Sequence, residues 1–106
     1  MRQFQTSVLE LRETITDGFA TQPFECAWAS EAIFFIHLEK SSGACPTAYV
    51  QVSPDGLHWL DEATAGSAQS GEDSFFLRVR EFGGWLRLRF SGTGSMTATI
   101  RLALKE

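Results

Sequence analysis

The side chains of this 106-residue chain that can move protons, attack a carbonyl or hold a metal are two histidines, two cysteines and thirteen carboxylates. Their spacing keeps them apart. His37 and His58 fall in separate strand-like runs, and neither has a His-x-His or His-x-x-x-His partner. A zinc site needs three or four ligands, which His37, His58, Cys26 and Cys45 supply only if folding happens to gather them. The two cysteines match no zinc or redox motif. Buried free thiols are expected, with a single disulfide as the alternative. Acid–base catalysis needs paired carboxylates in a cleft. Asp61 and Glu62 are adjacent, so on a strand they point to opposite faces, while Glu72 and Asp73 sit in a loop. The serines lie in Ser-Gly loop contexts without a Gly-x-Ser-x-Gly elbow. No strand–loop–helix context surrounds the glycines, as a phosphate cradle requires. The expectation is a protein that is not an enzyme, with no catalytic residue, no cofactor and no metal.

Composition sets the frame in which those groups must sit. The length suits one domain over residues 1–106. Hydrophobic residues make up 43% of the chain, enough for a core without metal or disulfide help. With 21% charged residues and a net charge of −4, this is the composition of a folded chain. The acidic balance argues against nucleic acid, because affinity for a phosphate backbone rests on clustered Lys and Arg. The cations are mostly isolated, apart from Arg78/Arg80 and Arg87/Arg89. Their i, i+2 spacing puts each pair on one strand face. Such a face is either solvated or an electrostatic stripe for an acidic partner. Met1-Arg2-Gln3-Phe4 is followed by polar alternation, so no signal peptide is expected. The longest apolar run, Ala32 to Ile36, is too short to span a bilayer. A soluble chain made in a cytoplasm, with no membrane partner, is the expectation.

The elements that must position these groups read as strands. Short β-rich runs are punctuated by Gly, Pro, Ser and Asp, and no long stretch repeats at helical spacing. Runs are expected at Phe4 to Leu11 (extended or followed by Thr14 to Asp17), Pro23 to Ala29, Ala32 to Glu39, and Thr47 to Val52. Others follow at Leu57 to Glu62, Ser74 to Arg80, Trp85 to Phe90 and Met96 to Leu104. Ile33, Phe34, Phe35 and Ile36 are apolar on both faces, which predicts a strand covered on both sides. Ser53-Pro54-Asp55-Gly56 is the clearest local signal, a type I turn with Pro at its first central position and Gly at its exit. Thr64 to Asp73, rich in Ala, Gly and Ser, predicts a loop. About eight strands with short connections imply an all-β fold, a single mainly antiparallel sandwich of the jelly-roll kind. Trp28, Trp59 and Trp85 suit sheet packing, with Trp59 over the sandwich mouth, or alternatively stacking on sugar rings.

Ser53-Pro54-Asp55-Gly56-Leu57-His58-Trp59 also carries a resemblance. With Ala32–Glu39, Ser41–Pro46 and Thr47–Val52 before it, and Phe75–Arg80, Phe82–Phe90 and Thr97–Lys105 after it, the order resembles a family of small β proteins. These are encoded among the virion structural genes of tailed phages and prophages. The resemblance implies a non-enzymatic virion component, a head decoration or cement protein on the outer capsid surface. Its partner would be the major capsid protein or another virion protein, and its own state a homo-oligomer, a trimer. A tail or baseplate accessory role is the related alternative. Residues 1–30 fit the pattern less well and are set apart as an N-terminal arm. Edge strands and an extended N-terminal segment suit strand addition to a neighbour, which makes Phe4, Val8 and Leu11 candidate contacts, with Ser70 and Glu72 of the Thr64–Asp73 loop. The Ser-x-Asp-Gly-x-x-Trp turn is similar, too, to that of discoidin-like carbohydrate-binding domains. Those domains are longer and carry extra loops, and they imply a glycan or surface partner as the alternative.

Overall fold

The computed structural model describes residues 3–80 and 82–106. Eight strands follow in chain order: β1 Phe4–Ile15, β2 Phe24–Glu25, β3 Glu31–Ser42, β4 Thr47–Ser53, β5 Leu60–Gly66, β6 Ser74–Arg80, β7 Trp85–Ser91 and β8 Ser95–Lys105. They form two four-stranded sheets of order β1-β8-β3-β6 and β2-β7-β4-β5. Every pairing is antiparallel. This strand order, in which the chain crosses repeatedly between sheets, is the jelly roll the alternating runs imply.

Period-two alternation decides which side chains enter the core. On β8, Met96, Ala98, Ile100, Leu102 and Leu104 all point inward and are buried. They meet Phe34, Ile36 and Leu38 of β3 and Leu77 and Val79 of β6 on the inner side of the first sheet. From the second sheet, Leu86, Leu88 and Phe90 of β7 with Ala48 and Val50 of β4 close the core. Phe34 and Phe90 are its largest fully buried side chains. Each such ring contributes about 1.5–3 kcal/mol of apolar transfer free energy.

The strand bounds differ from expectation in several places. Of the run expected over Pro23 to Ala29 only Phe24–Glu25 is strand, and β3 continues through Ser41 and Ser42 of the expected loop, paired with Met96 and Ser95. Residues 4–15, within the segment set apart as an arm, form β1 and pair with β8 from Phe4↔Lys105 to Ile15↔Met96. Met1 and Arg2 of that segment lie outside the described residues. β5 starts at Leu60 rather than Leu57, because the Asp55 carboxylate captures the N–H groups of Leu57 and His58. It runs on to Gly66, so the loop expected from Thr64 begins at residue 67. A register shift in β5, with Ala63 at φ 87°, keeps Ala65 and Gly66 on Tyr49 and Ala48 despite weak strand formers.

β3 is not covered on both sides, as its apolar run implied. Ala32, Phe34, Ile36 and Leu38 are buried, but Phe35 on the other face is 44% exposed. A two-layer sandwich has one buried face per sheet. Phe35 instead packs sideways on Phe76 of β6, with ring centroids 6.3 Å apart.

Candidate functional site

The turn after β4 is built by its own side chains. Ser53 is buried, and its Oγ accepts from the N–H of Gly56 at 2.8 Å and of Asp55 at 3.3 Å. That hydroxyl donates to Asp55 Oδ1, which also accepts from the N–H of Leu57 at 2.9 Å and of His58 at 3.0 Å. Asp55 Oδ2 lies 2.7 Å from His58 Nδ1. Those backbone donors, ahead of the His58 and Ser53 side chains, hold the Asp55 carboxyl well below the usual carboxylate range. Gly56 sits at φ +80°, and a Cβ there would come within 3.2 Å of the Trp85 ring. Pro54 and Asp55 thus shape a rigid tip that carries Leu57 and Leu60 into solvent, 79% and 67% exposed.

The outer face of the β2-β7-β4-β5 sheet satisfies itself. Arg87 Nε donates to Gln51 Oε1 at 2.8 Å, and Gln51 Nε2 donates to Asp61 Oδ1 at 2.9 Å. The Arg87 guanidinium lies over Trp59, 4.4 Å from the ring centroid, and Arg89 lies over Tyr49 at 5.0 Å. Arg89 also approaches Asp61 at 3.8 Å. Burial, then the neighbouring Arg89 charge, lowers the pKa of Arg87, though a guanidinium remains protonated at any ordinary pH. The Arg87/Arg89 pair is therefore neither a solvated face nor a free stripe. Trp59 lies on this face rather than over the mouth, one side of its ring occupied by Arg87. Trp85 is capped by Gly56, and Trp28 packs half-buried against the core.

The outer face of the β1-β8-β3-β6 sheet is different. Register places Val8, Arg101, Phe35 and Phe76 in one row across the four strands. Thr6, Ala103, Ile33 and Arg78 form the next, and Phe4, Lys105, Glu31 and Arg80 the third. Phe4, Val8, Phe35 and Phe76 are all exposed. Arg12 Nε donates to Glu39 Oε1 at 3.0 Å, Arg80 lies 3.8 Å from Glu31, and Arg78 lies over Phe76 at 5.7 Å. Apolar residues hold the positions that polar ones take on a solvated sheet. Their signal in the sequence is an aromatic at an outward position of β3 and of β6, Phe35 and Phe76.

Of the expected contacts, Phe4, Val8 and Leu11 lie together on β1, and all three are exposed. β1 is an edge strand, paired only with β8 among the described residues. Its regular register runs from Phe4 to Val8; shifts follow on either side of Glu10, and Arg12 adopts φ 52°. Ser70 and Glu72 are elsewhere, at the opposite edge. They line a cleft of about 460 Å³ between residues 41–45 and 67–72. The Glu72 carboxylate is used within that loop, accepting from the N–H of Gln69 at 2.9 Å. The structure does not bring the two sets together.

His37 Nδ1 lies 2.8 Å from Ser74 Oγ on the exposed face, and His58 serves the turn. Both cysteines are free, Cys26 buried and Cys45 half-buried. Among the described residues, no three His, Cys, Asp or Glu side chains gather as a metal ion requires. What the arrangement offers is surface: an edge strand, one open apolar–cationic sheet face, and one rigid apolar tip.

No protein-family model matches the chain, and no curated protein matches it in sequence. The fold itself has a solved counterpart. The crystal structure of the SPBc2 prophage-derived protein YomS superposes with a TM-score of 0.66, covering 100% of this chain and 96% of that one, at 11% sequence identity. The two chains are alike in fold from end to end.

Proposed function

We propose that this chain is a non-enzymatic structural protein of a phage particle, and that it decorates the outer capsid surface as a cement protein. The observation that carries the reading is β1, a twelve-residue edge strand bearing exposed Phe4, Val8 and Leu11. An edge of that length with three solvent-facing apolar side chains is a ready template for a partner strand or apolar groove. The bulges between Val8 and Glu13 interrupt the strand, so its longest regular stretch, residues 4–8, is where a partner strand fits. The fold shared with a prophage-derived protein and the order of motifs around Ser53–Trp59 support a place in the virion.

The test uses capsids lacking the protein, mixed with the purified chain, sedimented, and then heated. Co-sedimentation with a rise in particle melting temperature is the expected result. Val8→Lys should weaken binding about tenfold, which corresponds to ~1.4 kcal/mol. Particles that neither retain the chain nor gain heat resistance refute the cement role.

A further inference from the structure

Among the described residues, the exposed large apolar side chains fall into two groups. Phe4, Val8, Leu11, Phe35 and Phe76 belong to the β1-β8-β3-β6 sheet, and Leu57 and Leu60 to the β4–β5 hairpin. The sheet face carries Arg12, Arg78, Arg80, Arg101 and Lys105, five of the chain's nine Lys and Arg. Its two carboxylates are engaged, Glu39 by Arg12 and Glu31 by Arg80. Among the described residues no carboxylate lies within ion-pair distance of Arg78, Arg101 or Lys105. The hairpin is the reverse in its own residues: β4, β5 and the turn between them hold Asp55, Asp61 and Glu62 and no Lys or Arg. Arg89 of β7 approaches Asp61 at 3.8 Å, while among the described residues no Lys or Arg lies within ion-pair distance of Glu62. The sheet face thus carries cations without an ion-pair partner beside its apolar residues, and the hairpin carries a carboxylate without one beside Leu60.

We propose that these two surfaces bind each other between copies. The Leu57–Leu60 tip of one molecule seats on the Phe35/Phe76 face of a second, with Glu62, on the same side of β5 as Leu60, against Arg78 and Arg101. Three arguments support this pairing. Charge complementarity selects it, whereas the cationic face laid on its own copy would oppose guanidinium to guanidinium. The tip is pre-organised, since Asp55 already fixes the backbone of Leu57 and His58, so little ordering entropy is lost on docking. The two surfaces belong to different sheets, so the contact is head-to-tail and leaves one unused surface at each end. The assembly is therefore a closed ring or an open chain, and its formation weakens as salt screens the charges.

Sedimentation velocity of the full chain, over a range of protein and salt concentrations, tests this. The wild type should gain mass with concentration and lose it in high salt. Two surface variants separate the halves: Phe35→Ser with Arg101→Glu removes the face, and Leu57→Ser with Leu60→Ser removes the tip. Each alone should be monomeric with an unchanged circular-dichroism spectrum. Mixed in equal amounts they should form a one-to-one dimer and nothing larger, because each supplies the surface the other lacks. A wild type that stays monomeric up to about 1 mM, the weak limit of useful affinity, overturns the proposal. So does a mixture that stays monomeric or grows past a dimer. Capsid binding is measured separately, so either result leaves the cement reading to its own test.

Discussion

Asp55 uses both carboxylate oxygens locally, one on backbone N–H groups and the Ser53 hydroxyl, the other on His58. Its pKa in the folded chain is depressed, so the charged form contributes stability. That contribution is complete above the unfolded carboxyl value and is lost as pH falls below it toward the folded value. Thermal unfolding of wild type and Asp55→Asn should therefore differ by a constant amount above about pH 5 and converge below about pH 4. Gly56→Ala forces a Cβ onto the Trp85 ring from a positive φ and should cost about 1–3 kcal/mol in urea unfolding. Burial, then the Glu25 charge, pushes the Cys26 thiol up to about 12, while Cys45 is half-buried. One thiol should react with a disulfide reagent in the native protein, and the second only after unfolding. The turn was legible from Ser-Pro-Asp-Gly, because each residue there acts locally. The exposed knob it builds was not, since the reach of Leu57 depends on hydrogen bonds from Asp55 to residues beyond the turn.

At the scale of elements, strict alternation made β7 and β8 readable to within a residue or two. Where alternation lapses, the register had to come from the fold. β1 breaks its period at Leu9 and again at Leu11–Arg12, and pairing with β8 restores it so that Ile15 is buried. Ile15→Ala should cost about 2–5 kcal/mol as a core cavity, whereas Val8→Ala on the outer side should lie within about 0.5 kcal/mol. Equilibrium denaturation of the two variants checks the pair. An apolar residue at an outward position looks the same in sequence as one in a buried face, which is why Phe35 was read as covered.

Across the whole molecule, about eight strands and an antiparallel jelly-roll sandwich followed from strand spacing and short connections. The open apolar–cationic sheet face did not, because it arises where β8 lies between β1 and β3 and β3 lies beside β6, residues far apart in the chain. Gln3 and Glu106 meet at that seam, the Glu106 N–H donating to the Gln3 carbonyl at 3.0 Å. A circular permutant with a short linker there and new ends within residues 67–73 should fold to the same circular-dichroism spectrum and bind particles as the wild type does.

The position of β8 has a further consequence for how the protein comes into being. It is the last of the eight strands to be synthesised, yet it fills the gap between β1 and β3, which are not paired with each other. On the ribosome, the edges of β1 and β3 that face this gap must wait unpaired until Ser95–Lys105 has cleared the exit tunnel. Nascent chains halted before that point lack the strand that joins half the sandwich and are natural clients for holding chaperones.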